Sequence, residues 1–116
     1  RVVLVRPRAG PCGMNGVEVD TAPRDKLAVT GVISMKGGWT ADPEKKKPGR
    51  DLGYKRYDQM AAALGAHGEY VEKPEDIRAA LERAKEANKA GKPALVNVLT
   101  DANAGATTTA FTRYAT

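Results

Sequence analysis

Val2-Val3-Leu4-Val5-Arg6-Pro7-Arg8-Ala9-Gly10-Pro11-Cys12-Gly13-Met14-Asn15-Gly16 is the stretch that decides the fold. Four apolar residues in succession, without polar alternation, describe a strand, Val2–Val5, buried on both faces. The turn that follows, Arg8–Gly16, is rich in glycine and opens onto a helix read over Asn15–Lys26, with Val17, Thr21 and Arg24 at helical spacing. Pro23 lies inside that helix, where its missing N–H should kink or end it. A second strand, Leu27–Ser34, is rich in Val, Ile and Thr. It leads into a second glycine turn, Met35-Lys36-Gly37-Gly38.

The rest of the chain repeats the alternation. Gly37–Gly53 has the Gly, Pro and Lys content of a long surface loop, a length that is usually functional or disordered. Tyr57, Met60, Ala61 and Leu64 fall at i, i+3, i+4 and i+7, with Gly65 as a stop signal. A short strand is read over Glu69–Glu72. Pro74 then starts a helix with Ile77, Ala80, Leu81 and Ala84 on one stripe and Arg78–Glu82 as an i, i+4 pair. Gly91 closes it, and Ala94–Thr100 is a further buried strand. This pattern predicts an α/β fold of three layers, a mainly parallel, Rossmann-like sheet with helices on both faces. In such sheets ligands bind beyond the carboxyl ends of the strands. Both glycine turns lie at that edge, so two distant segments should converge on one site.

Composition sets the bounds. At 116 residues, 41% apolar and 28% charged, the chain suits one globular domain and not a disordered one. Its apolar runs are too short to cross a bilayer. A single cysteine excludes an internal disulfide and fits a reducing, cytoplasmic setting. The net charge is +5, concentrated at Arg1, Arg6 and Arg8 and again at Lys45, Lys46, Lys47, Arg50, Lys55 and Arg56. Such patches attract phosphates, although a solvated loop is the ordinary meaning of a charge run. Only 5% of residues are aromatic and no nucleic-acid-binding module is recognisable, so nucleic acid is not an expected partner. The chain opens with Arg1 and enters a strand at once, which reads as an excerpt.

The two turns and their spacing resemble the thiamine-diphosphate (ThDP) binding motif, Gly-Asp-Gly followed after roughly 25 residues by Asn-Asn or a variant. Similarity extends through Gly13-Met14-Asn15-Gly16-Val17-Glu18-Val19-Asp20-Thr21-Ala22, Gly37-Gly38-Trp39-Thr40, Tyr57-Asp58-Gln59-Met60, Val71–Leu81 and Gly91–Val98. The flavour is that of acetolactate synthase, 2-hydroxyacyl-CoA lyase and oxalyl-CoA decarboxylase. The resemblance implies the C-terminal, diphosphate-binding domain of such enzymes, with residues 1–100 as a partial domain and 101–116 as a tail or lid-like extension. It also implies a separate pyrimidine domain, absent here, that supplies the glutamate activating the thiamine ring. The flanking strands of the family domain would be absent too. The missing domains, or a second copy, could then pair with an exposed sheet edge.

Carried over residue by residue, the cofactor-binding positions are Arg8, Ala9, Gly10, Gly13, Met14, Asn15, Lys36, Gly37, Gly38 and Trp39. The family's magnesium ligands, the Asp, the second Asn and a backbone carbonyl, match Ala9, Lys36 and Gly38. Magnesium demands oxygen ligands. Ala9 has no side-chain oxygen, and Lys36 brings three donors and no acceptor. No protein metal site is expected beyond the Gly38 carbonyl. Arg8 and Lys36 could replace the metal by charge, or the turns could hold no ligand at all. Trp39 fits a site wall or the core equally. Cys12 lies near a helix start and Arg8, which lowers a thiol pKa, but has no base nearby in sequence. His67, between Gly65 and Gly68, reads as a solvent-facing turn residue. The expected function is a fragment or degenerate form of the domain of a C–C lyase, decarboxylase or carboligase, without turnover alone. The alternatives are a partner-binding module, or a small hydrolase using Cys12, His67 or the acids around Glu18 and Asp20.

Overall fold

The computed structural model describes residues 2–6, 16–38, 48–49 and 51–101, the first of these as backbone only. Four parallel strands form one sheet: β1 (Val2–Arg6), β2 (Val29–Met35), β3 (His67–Val71) and β4 (Ala94–Leu99), in the order β1-β2-β4-β3. Register runs Val2 opposite Val29, Thr30 opposite Ala94, and His67 opposite Ala94 on the other side. The α/β fold with a parallel sheet is thus as the alternation predicts.

Between β1 and β2 the expected continuous helix is broken. A 3-10 turn, Gly16–Asp20, passes into a single α-turn, α1 (Thr21–Arg24). Pro23 sits in that last turn, and without an N–H it cannot extend a regular ladder. Lys26 then takes φ 53°, which turns the chain into β2. Helix α2 (Tyr57–Ala63) and helix α3 (Ile77–Lys89), the latter preceded by a 3-10 turn at Pro74–Asp76, lie where the apolar stripes place them. The ion pair of Glu82 is with Lys85 at 3.4 Å, not with Arg78 as the spacing suggested.

The core has two halves, one on each face of the sheet. On the first, Ile33, Met35 and Leu95 pack against Ala61 and Ala66, with Val19 and Tyr57 at the margin. On the second, Val71, Ala94 and Val96 pack against Ala80 and Ala84 of α3. Alternation along the strands sorts the residues: Leu95 and Asn97 face α2, while Ala94 and Val96 face α3. The crossovers β1→β2 and β2→β3 run the same way across the sheet and share the α2 face. The crossover β3→β4 runs back and its helix lies on the opposite face. A single hand for all three crossovers requires this arrangement.

Helices sit close on this sheet because small residues allow it. Ala61, Ala80 and Ala84 are wholly buried. A Cβ at Gly68 would collide with the Asp58 carbonyl, so glycine lets α2 approach β3. One polar clasp ties α3 to β2. Thr30 Oγ1 donates to Asn88 Oδ1 at 2.7 Å, and Asn88 Nδ2 donates to the carbonyls of Val29 (3.2 Å) and Lys92 (2.9 Å). Both side chains are buried, and every polar atom of the Asn88 amide is bonded.

Candidate functional site

Strand β2 ends at Met35, so Lys36, Gly37 and Gly38 stand at the carboxyl edge of the sheet, where the ligand crevice of a parallel α/β fold lies. The edge is tied across β2 and β4. Thr100 N donates to Met35 O at 2.9 Å, and the hydroxyls of Ser34 and Thr100 are 3.2 Å apart. Gly37 is buried with φ +79°, a conformation that a side chain disfavours. A Cβ there would meet the Tyr54 ring at 3.4 Å.

A strap, residues 51–56, closes over this turn. Leu52 N donates to Gly37 O at 2.9 Å, and Gly38 makes an isolated antiparallel bridge with Asp51. Asp51 Oδ1 accepts from Gly53 N at 3.0 Å, which shapes the strap's own turn. Farther along, Lys55 O accepts from Asn97 Nδ2 at 2.9 Å. Asn97 also reaches Asp58 Oδ1 at 3.4 Å. Asp58 is buried and receives a two-pronged grip from Arg56, at 3.0 and 2.8 Å. The Arg56 guanidinium in turn lies 4.1 Å above the Tyr70 ring centroid. The hydrogen bonds from Arg56, aided by that from Asn97, hold the Asp58 carboxyl below the usual range against the opposing effect of burial.

The strap and its anchors are the part of the site that sequence reading missed. Asp51-Leu52-Gly53 does carry a turn signature, an acid two residues before glycine. Asn97 sits in an apolar strand, and nothing in sequence says that a buried amide there faces residue 55.

Of the sequence-derived positions, Lys36, Gly37 and Gly38 lie together on this turn. Arg8, Ala9, Gly10, Cys12, Gly13, Met14, Asn15 and Trp39 fall outside the described residues, as does the tail after Asp101. His67 is not in a turn but opens β3, at the amino edge of the sheet, away from Lys36. Its Nε2 lies 2.8 Å from Glu69 Oε1, and Glu69 is gripped by Arg83 through two bonds of 2.8 Å. The bonds from Arg83 first, then His67, hold the Glu69 carboxyl below the usual range. Glu18 is exposed, and Asp20 pairs with Arg24 at 3.1 Å. Among the described residues no three His, Cys, Asp or Glu side chains gather as a metal site, and no helix is long and apolar enough to cross a membrane. Lys36, at the position matched to a metal-ligating Asn, is a donor only, so the residue present does not fit magnesium coordination.

A parallel sheet with a glycine turn beyond β2, covered by a strap, defines an α/β domain whose candidate crevice lies at the carboxyl edge of β2. Comparison with known proteins makes the class specific. The family of thiamine pyrophosphate enzymes, C-terminal TPP binding domain, matches residues 10–98, and this chain belongs to it. It is 41% identical over 111 residues to the acetolactate synthase large subunit of Mycobacterium tuberculosis, covering 87% of this chain and 19% of that protein. A 2-hydroxyacyl-CoA lyase 2 of Caenorhabditis elegans is 34% identical over 99 residues, covering 78% of this chain and 16% of the relative. The chain therefore spans about one fifth of the length of these relatives. The ThDP-dependent 4-hydroxybenzoylformate decarboxylase of Rhodococcus jostii shares the fold, with a TM-score of 0.73 at 23% identity, over 87% of this chain and 20% of that one.

Proposed function

We propose that this chain is the diphosphate-binding part of a ThDP-type C–C lyase, decarboxylase or carboligase, and that it has no ThDP-dependent turnover by itself. The observation that carries the reading is the Lys36–Gly38 turn, seated at the carboxyl edge of β2 under the strap. The cofactor, when bound, supplies the reactive carbon and electron sink for C–C chemistry. The residues of this chain bind and orient the diphosphate. Lys36 offers a cation in place of a bridging metal, assisted by Arg8 from the first turn, and the glycines allow the backbone close approach. The glutamate that activates the thiamine ring in the family would have to come from elsewhere in an assembled enzyme.

A calorimetric titration with ThDP, in magnesium and again in EDTA, tests this. Binding that ignores magnesium and falls about tenfold in Lys36→Ala supports recognition by charge, since one charge-assisted hydrogen bond is worth roughly that much. Binding that requires magnesium overturns the reading of Lys36. Absence of binding in both buffers overturns the diphosphate assignment. It favours the second reading, a partner-binding module, for which β1 speaks: among the described residues it is an edge strand of four consecutive apolar residues and an arginine.

A further inference from the structure

The buried amide of Asn97 holds the far end of the strap that covers the candidate turn, and we propose that Asn97 is a positioning residue for that turn. Its side chain is wholly buried on the α2 face of β4, between Ile33 of β2 and Tyr70 of β3 in the register. Nδ2 donates to Lys55 O at 2.9 Å and reaches Asp58 Oδ1 at 3.4 Å. Among the described residues Oδ1 has no hydrogen-bond partner. A buried acceptor left unpaired is costly, so the amide is not there for its own oxygen; its donor is what the fold uses. What the amide supplies is a fixed point for the backbone at residue 55. Four residues on, toward the N-terminus, Asp51 bridges Gly38. Between them Leu52 N grips Gly37 O and Tyr54 lies against Gly37. The strap is thus pinned at both ends. Asn97 sets the closed position from a strand that does not carry the turn. That this matters for a ligand rests on the diphosphate reading above. The pinning itself does not.

The test separates strap closure from overall stability. In the full chain, hydrogen exchange at the Leu52 amide is followed together with the thermal midpoint, for the parent, Asn97→Leu and Asn97→Asp. Asn97→Leu keeps the volume, removes the orphaned acceptor and removes the bond to Lys55 O. It should speed exchange at Leu52 about tenfold, the equivalent of one lost hydrogen bond, and by a larger factor than at the β2 and β4 amides, whatever small change the midpoint shows. Asn97→Asp should speed it further, because a carboxylate oxygen would face both Lys55 O and Asp58. Unchanged Leu52 exchange in a folded Asn97→Leu variant would overturn the proposal. So would acceleration spread equally over the β2 and β4 amides, which marks general loosening. Should Asn97→Leu fail to fold, the Asn97→Asp variant decides by the same comparison. Because no ligand is present, failure of ThDP to bind leaves this outcome untouched.

Discussion

At the scale of the residue, the two buried asparagines divide the molecule's polar chemistry. Asn88 is fully bonded and belongs to the architecture, whereas Asn97 is half-bonded and belongs to the strap. Two carboxylates have cationic partners, Asp58 with Arg56 and Glu69 with Arg83, and Glu69 also bonds His67. Both carboxyls are held below their ordinary values by these partners. The sign of the consequence is fixed. A depressed native pKa stabilises the fold fully above the unfolded value, about 4 for such groups. That stabilisation is lost as pH falls from there through the native value. An acid titration followed by circular dichroism should therefore show a loss of stability beginning near pH 4. The double variant Asp58→Asn with Glu69→Gln should start less stable at neutral pH and lose less on acidification. A variant whose acid limb has the parent's slope would show that these pairs do not govern it.

At the scale of the element, apolar periodicity and turn residues carried much of the reading. Helix α2 begins at Tyr57 and α3 runs under its Ile77, Ala80, Leu81, Ala84 stripe because those positions recur at the helical period. The strands β2 and β4 are mainly apolar, apart from Thr30, Ser34 and Asn97, because both faces are covered. Where the reading failed, a local conflict explains it. Spacing over Asn15–Lys26 fits a helix, but Pro23 and the turn at Lys26 limit it to one α-turn after a 3-10 segment. His67, flanked by glycines, looked like a loop; pairing beside Ala94 drew it into β3. Tertiary contacts such as Gly68 against Asp58 leave no mark in sequence beyond a glycine. That contact yields a sharp expectation. Gly68→Ala must push α2 off β3, so it should cost about 3 kcal/mol in urea unfolding, at the upper end for overpacking. Gly49→Ala, where a Cβ meets nothing within 4 Å, should cost less despite its φ of +74°. Equal losses would mean that α2 can shift freely and that the close approach is not what selects glycine.

At the scale of the whole molecule, the sheet order β1-β2-β4-β3 leaves β1 and β3 as edges among the described residues. The two differ in how they are defended. β3 carries Glu69, bonded to Arg83 and His67, and Tyr70 beneath Arg56, so charge surrounds that edge. β1 reads Val-Val-Leu-Val before Arg6, and an apolar strand with open hydrogen-bonding groups is a template for another strand. The chain spans only 19% of its acetolactate synthase relative, so the natural occupant of that edge could be more of the same enzyme or a second copy. In isolation the second copy is the one available. Sedimentation equilibrium over a range of concentrations should then show association, and Val3→Lys or Leu4→Lys should weaken it. A parent chain that remains monomeric throughout would show that β1 is shielded within this chain, and would remove the support it lends to the partner-module reading.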